Sequence, residues 1–478
     1  MSLRVYNVLG REKEEFVPLV PGRVNMYVCG PTVYDNPHVG HAKLYVSMDV
    51  VVRYLRFSGL SVRYVQNITD VGHLLDTGED RILRGAARER REPMEIVEKY
   101  TRAYFAGMDA LGVTRPDISP RASGHVIEQI ELVKKLLAEG HAYESNGSVY
   151  FDVSSWPSYG KLSGRTVEEQ DAGARVDVRD DKRHPADFAV WKKAEPEHIL
   201  RWPSPWGEGF PGWHIECSAM AMKYLGETFD IHGGGLENMF PHNECEIAQS
   251  EAHTGKAFAR YWLLTGSLTL DGVKMSKSLG NTITIVKALE RWRPEQIRLF
   301  ILSSHYTSPV DITDDALAAA GEGAGRLSDA VRAIANRRKD APAGEASLAW
   351  LDRLAPYRAR FTEAMDDDFN APIAIGVLFD LVRETNALAN SAETATTGTY
   401  QVIEDTYRSL AGDVLGLLPA DGARQGMDIG PLVELFIELR REMRANKQFE
   451  QADRLRRQLT ELGITLEDGP RGTTWKKR

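Results

Sequence analysis

The stretch Cys29-Gly30-Pro31-Thr32-Val33-Tyr34-Asp35-Asn36-Pro37-His38-Val39-Gly40-His41 decides how the chain is read. Before it, Met26-Tyr27-Val28 is an apolar run of the kind that forms a buried strand, ended by Gly30 and Pro31. After it, Ala42-Lys43-Leu44-Tyr45-Val46 onward carries apolar residues at helical spacing. His38 to His41 therefore stand at a strand-to-helix junction. At such a junction free N–H groups and the positive end of the helix dipole attract phosphate, Gly40 lets a ligand come close, and two imidazoles can donate to anionic oxygens. The stretch predicts a nucleotide site; taken alone, it also allows two solvated histidines capping a helix.

Working outward, Val62 to Asp70 reads as the next strand, and strand, helix, strand at this spacing predicts a parallel, Rossmann-like sheet. Thr69 and Asp70 fall at its carboxyl end, the rim where such sheets bind ligands. Far downstream, Lys274-Met275-Ser276-Lys277-Ser278-Leu279-Gly280-Asn281 sets two compact ammonium charges on a loop of small residues. It is either a basic surface turn or a partner for the first stretch on the same phosphates. Between them, Pro211 to Met220 leads from Gly and Pro into a helix carrying Cys217, and Phe229 to Gly235 is another strand ended by glycines. Pro241 starts a helix in which His242 and Glu246, four apart, share one face. Cys29, Cys217, His242 and Glu246 make a thiolate, thiolate, imidazole, carboxylate set suited to zinc. Their separations are far longer than those of a zinc finger, so inert buried thiols are the competing reading. Cys245, three residues from His242, competes with Glu246 for the same face.

At 478 residues with 42% hydrophobic content, the chain can build about three domains with sizeable cores. Three cysteines, an odd count, argue against a disulfide framework. No apolar run approaches the roughly 18 residues of a membrane span and the start lacks a signal region, which predicts a cytoplasmic protein. The net charge of −9 weakly disfavours RNA but leaves room for a local basic surface. Arg81 to Arg91 reads as a charge-dense, solvated helix. The tail holds a largely helical run, Leu432 to Leu462, with Arg440, Arg441, Arg444, Lys447, Arg454, Arg456 and Arg457 around it and Trp475 beyond. That surface could take phosphates and a stacked base, or be an ordinary solvated helix.

In this order and at this separation, the two signature stretches resemble the His-Ile-Gly-His and Lys-Met-Ser-Lys-Ser motifs of class I aminoacyl-tRNA synthetases. Nearly the whole chain resembles the cysteinyl-tRNA synthetase family. The matching stretches are Cys29 to His41, Asp187 to Lys192, Pro211 to Met220, Asp230 to Gly235, Lys274 to Asn281, Asp366 to Asn370 and Leu466 to Trp475. The resemblance implies an α/β fold: a Rossmann-like catalytic domain split over 1–125 and 202–264, and a connective insertion at 126–201. A signature-loop and stem-contact region at 265–325, a helical bundle at 326–420 and a C-terminal anticodon-binding domain at 421–478 would follow. It aligns Cys29, Cys217, His242 and Glu246 with four zinc ligands. Gly30, Thr69, Trp213 and Glu237 fall in the amino-acid pocket, and His38, Gly40, His41, Lys274 and Lys277 handle ATP, accompanied by magnesium. Arg444, Asp453 and Asp468 align with anticodon-reading positions, with Trp475 as a further tRNA contact. The implied partners are ATP, L-cysteine and tRNA(Cys), with no membrane, for a chain expected to act as a monomer.

The resemblance also supplies a reason for the metal. An apolar pocket separates cysteine from serine by only about one decade, whereas a soft-ligand preference rejects an alcohol that stays protonated. Departures from the family pattern are Val39 in the first motif, Asn243 and Cys245 beside the metal, Phe210, Glu237, and Leu264-Thr265 before the second motif. Two rivals remain: a ligase joining cysteine to an amino sugar in mycothiol synthesis, which resembles the synthetase but lacks the anticodon unit, and a non-catalytic tRNA-binding paralogue. The tail speaks against the first, and intact His38, His41, Lys274 and Lys277 against the second.

Overall fold

Arg23–Val28, the strand that leads into the first signature stretch, lies inside a four-stranded parallel sheet. The order across the sheet is Ala259–Thr265, Phe229–Gly235, Arg23–Val28, Ser61–Gln66. Phe229–Gly235 is buried at every residue, as a central strand covered on both faces must be. The fourth strand ends at Gln66, earlier than the sequence pattern suggests. Beyond it the chain pairs by single bridges, Ile68 with Arg121 and Thr69 with Thr32. The helix Val39–Phe57 follows the signature stretch and is buried over most of its length, because it packs on both the sheet and the helix Pro294–Leu302. The computed structural model describes residues 2–73, 80–165, 181–196, 198–275, 280–391, 395–418, 430–469 and 472–477.

The inserted region forms a five-stranded antiparallel sheet in the order Ala142–Ser145, Ser148–Phe151, Phe188–Lys193, Gly207–Pro211, Trp202–Ser204. Its own apolar core includes Val149, Phe151, Val190 and Trp191, and it closes against Ile215, Ala219, Cys245 and Ala248. The sheet continues to Pro211, past the boundary drawn at residue 201 from sequence. Trp202–Ser204 and Gly207–Pro211 make a hairpin too short to show a strand period, and only its pairing with Phe188–Lys193 assigns it to this sheet.

After Ile285–Arg291 and Pro294–Leu302, four long helices, Asp314–Lys339, Leu348–Asp366, Ala371–Asn390 and Thr397–Tyr407, pack as a bundle. The chain divides into two units, Met1–Leu418 and Pro419–Arg478. The second unit has the helices Gly430–Ala445 and Phe449–Glu461 and the hairpin Ile464–Gly469 with Gly472–Lys477, around Val433, Leu459, Ile464 and Leu466. Here Arg440 departs from the exposed basic surface that composition suggests. It is 3% exposed and bonds both oxygens of Asp468, at 2.9 and 2.8 Å. A planar guanidinium tolerates burial when a carboxylate meets its fork. Among the described residues no helix is long and apolar enough to cross a membrane.

Candidate active and metal site

At the end of Arg23–Val28 the chain must pass under the neighbouring strand. Only glycine can do so at position 30, since a Cβ there would sit 1.5 Å from the Asn67 carbonyl oxygen. The Gly30 N–H donates to Asn67 Oδ1 at 2.7 Å, which aims Cys29 inward. The helix Trp213–Leu225 brings Trp213 and Cys217 to the same side, one turn apart. Glu246 lies in the first turn of Glu244–Thr254 and His242 in the short turn Met239–Asn243 just before it, entered through an extended residue at Phe240. One donor atom each from Cys29, Cys217, His242 and Glu246 lies within 4.8 Å of the others, and all four residues are buried. Cys245 is excluded from the set. Its sulfur points the other way, 3.4 Å from the Tyr159 hydroxyl, because residues three and four along from His242 diverge by a full 100° of helical turn.

The electrostatics of the cluster are those of a cation site. A hydrogen bond from the Cys217 thiol, acting against burial, draws the Cys29 thiol down to about 6, while burial pushes Cys217 well up. Glu246 is held down at about 2: burial opposes this, but His232 and His242 outweigh it. Burial lowers His242, yet the Glu246 carboxylate leaves it raised on balance. Glu246 Oε1 has no hydrogen-bond partner among the described residues, a costly state for a buried carboxylate oxygen. Two sulfurs, an imidazole nitrogen and an uncommitted carboxylate oxygen at this separation fit a borderline-soft divalent cation such as zinc.

A second layer orients these donors. His214 and His242 face each other through Nδ1 atoms 3.0 Å apart, and His232 Nε2 lies 3.0 Å from Glu246 Oε2. Asn243 donates to Glu246 Oε2 at 2.9 Å and lies 3.7 Å from Cys29 Sγ. The Trp213 ring is sandwiched between His73, 4.0 Å away at 10°, and His242, 4.3 Å away at 27°. Thr69, 2% exposed, accepts from Asn67 Nδ2 at 3.0 Å.

The first signature stretch, which begins at Cys29, also meets Met275 of the second and the chain that leaves it. His38 caps the helix Val39–Phe57: its Nδ1 accepts from Gly40 N–H at 3.2 Å, and His41 Nδ1 accepts from His38 N–H at 3.1 Å. The two rings stack at 3.9 Å. The chain leaving the second stretch clasps the first, with Val39 N–H on the Ile283 carbonyl at 3.0 Å and Ile285 N–H on the Pro37 carbonyl at 2.9 Å. A Cβ at Gly40 would come within 2.9 Å of His38 Nδ1 and so crowd the capping imidazole, while the Met275 methyl of the second stretch would lie at ordinary contact distance, 3.7 Å.

Comparison with known proteins decides what this arrangement belongs to. Residues 15–322 match the model of the class I (C) tRNA synthetase catalytic domain, 360–419 a DALR domain, and 431–475 the cysteinyl-tRNA ligase anticodon binding domain. A cysteine–tRNA ligase of Chlorobaculum tepidum is 50% identical over 494 residues, covering 100% of this chain and 99% of the relative. The chain belongs to the cysteine–tRNA ligase family. A Deinococcus radiodurans cysteine–tRNA ligase is 51% identical, covering 100% of this chain and 97% of its own length. In fold, the chain resembles Mycobacterium tuberculosis methionyl-tRNA synthetase in complex with methionyl-adenylate, at TM-score 0.57 and 16% identity over 82% of this chain and 92% of that one. It also resembles a leucyl-tRNA synthetase from the ternary complex of Agrobacterium radiobacter, at TM-score 0.60 and 11% identity over 84% and 85%. This cysteine–tRNA ligase family member is thus a ligase with the class I synthetase fold.

Of the remaining candidates, Lys277 lies outside the described residues, and Lys274 contributes its backbone to the short strand Val273–Lys274. Glu237 is exposed, its carboxylate folded back against Gly235. Phe210 stacks on His198 at 4.2 Å. In the second unit Asp468 is taken up by Arg440 and Thr473, with Arg444 3.7 Å away, and Trp475 Nε1 donates to Glu434 at 3.1 Å. Asp453 adds its charge to the field on Arg440. Asn67, His73, His214 and His232 are absent from the sequence-based site. His214 follows Trp213 directly and His73 lies in the loop beyond the strand Ser61–Gln66, but no spacing rule marks either as a partner of the donors.

Proposed function

We propose that this cysteine–tRNA ligase joins L-cysteine to the 3′ end of tRNA(Cys) through a cysteinyl-adenylate, and that Cys29, Cys217, His242 and Glu246 hold zinc. The observation that carries the proposal is a buried four-donor cluster that includes Cys29, the head of the first signature stretch, together with the contacts of that stretch with Met275 and with the chain leaving the second. Bound there, zinc would supply a soft Lewis-acidic position that accepts a thiolate and disfavours an alcohol. The cysteine carboxylate attacks the α-phosphorus of ATP and pyrophosphate leaves; the terminal tRNA ribose then attacks the carbonyl and AMP leaves. His38, His41, Lys274 and Lys277 stabilise the phosphate charge that develops, with Gly40 admitting the nucleotide and Mg2+ accompanying pyrophosphate. Gly30, Thr69 and Trp213 shape the amino-acid pocket, with Glu237 at its rim. Positioning and electrostatics suffice, so no general base is required of the protein. Arg444, Asp453, Asp468 and Trp475 read the tRNA through the second unit, a reading supported by the anticodon-domain match at 431–475. That match disfavours the amino-sugar ligase.

The test is cysteine-dependent pyrophosphate exchange and tRNA charging by the purified chain, with serine as control and bound metal measured by elemental analysis. Charging with cysteine alone and one zinc per chain is expected. Exchange without charging would point to another acceptor, and efficient serine activation would overturn the role given to zinc.

A further inference from the structure

The helix Glu244–Thr254 has two occupied sides. One carries Glu246, which with His242 just before the helix faces Cys29 and Cys217. The other meets a loop of the inserted region. Glu244, at 0% exposure, has no ion-pair partner among the described residues. Its carboxylate accepts instead from three backbone N–H groups, those of Gly160 at 2.9 Å, Leu162 at 3.1 Å and Ser163 at 2.8 Å. The loop is shaped for this. The Gly164 N–H closes onto the Gly160 carbonyl at 2.7 Å, and Gly160 holds φ +97° where a Cβ would come within 2.1 Å of the Arg165 carbonyl oxygen. Successive N–H groups in such a turn converge on one point and form a receptor for an anion, here occupied by the protein's own carboxylate.

The same loop holds the segment at further points. The Tyr159 hydroxyl contacts Cys245, Lys161 pairs with Glu251, and the Arg165 guanidinium lies 4.7 Å over the Phe240 ring. Phe240 precedes His242 by two residues and Glu244 follows it by two, so the loop grips both flanks of a donor. A site assembled from three distant segments is only as exact as the outer layer that fixes each one.

We infer that Glu244 is a positioning residue for the metal site: through it, the loop Tyr159–Arg165 clamps the segment bearing His242 and Glu246 at its working distance from Cys29 and Cys217. This rests on the proposal that those four residues hold zinc. It also gives the inserted region a task, since its loop becomes the outer wall of the site.

The test compares zinc-loaded full-length wild type with Glu244→Gln, Gly160→Ala and Val149→Ala. Zinc release to a chelator, melting temperature, and KM for cysteine and for ATP in pyrophosphate exchange are measured for each. Glu244→Gln keeps the size of the side chain but turns an NH2 toward the loop's donors; Gly160→Ala breaks the clamp from the loop side and carries the test if the first variant does not fold. Both are expected to release zinc about tenfold faster or more. KM for cysteine should rise with it, while KM for ATP stays unchanged. Val149→Ala, which leaves the clamp intact in the same region's core, should lower the melting temperature without faster release. Unchanged release in both clamp variants, or equal acceleration by Val149→Ala, overturns the inference alone; a wild type that holds no zinc overturns it together with the metal assignment.

Discussion

Lys277→Ala is expected to reduce cysteine-dependent pyrophosphate exchange by about 10²–10³-fold, the usual cost of removing one preorganised charge from a developing anion. tRNA binding, measured separately by filter retention, should persist. Lys43, two residues past His41, is a different kind of lysine. Its side chain is buried, the one hydrogen bond it makes among the described residues is a long 3.5 Å contact to the Tyr306 carbonyl, and burial lowers it to about 8. The unfolded chain holds that proton up to about 10.4. Between about 8 and 10.4 the unfolded state therefore binds more protons at this residue, and its share of stability rises with pH. Lys43→Met should flatten that rise in urea titrations across this range; an identical slope in the variant would refute it.

At the scale of elements, the helix Val39–Phe57 is anchored along its length. Tyr54 donates to Asp366 at 2.6 Å, and Asp49 pairs with the buried Arg298 at 2.8 Å, whose guanidinium also reaches the Leu111 and Leu415 carbonyls. Burial works against the Asp49 carboxylate, yet Arg298, Arg53 and the Thr114 N–H leave its pKa lowered. A carboxylate depressed in the fold lends stability above its unfolded value of about 3.9, and that stability is lost as pH falls below it. Asp49→Asn leaves Arg298 buried without its counter-charge, so it should cost about 3–5 kcal/mol by denaturant unfolding and weaken the dependence on acid. The motif Asp366 to Asn370 belongs at this scale too. Asp368 and Phe369 stand at φ 64° and 53°, a strained pair, and Asp368 Oδ1 accepts from Tyr6 N–H and the Tyr306 hydroxyl at 2.9 Å each. The motif was recognisable in sequence only through family resemblance; its work is to tie the bundle to the N-terminal hairpin of Arg4–Asn7 with Glu12–Glu15.

At the scale of the molecule, the second unit has its own core and hairpin, and the first contains all four donors and both signature stretches. A chain ended at Leu418 is therefore expected to retain cysteine-dependent exchange within a few-fold and to lose most tRNA charging at limiting tRNA. Loss of both activities would assign the tail a role in the first step.

Local chemistry determined a good deal of this protein without any coordinates. An apolar run broken by Gly and Pro before a helical period places His38 and His41 at a strand-to-helix junction, because turn chemistry and periodicity act within a few residues. Softness of ligand made Cys29, Cys217, His242 and Glu246 a candidate set with Cys245 as a competitor, and it was the resemblance of the two motifs to a known family that aligned the four with metal ligands and pointed to the class of enzyme. What only the tertiary structure decided involves residues far apart in the chain. It turned Cys245 toward Tyr159 and left Glu246 on the cluster. It brought Asn67, His73, His214 and His232 around the donors, buried Arg440 against Asp468, and drew the inserted region's loop onto Glu244. None of these has a period or a spacing. Each is a contact whose energy depends on burial and direction, quantities that exist only once the chain has closed on itself.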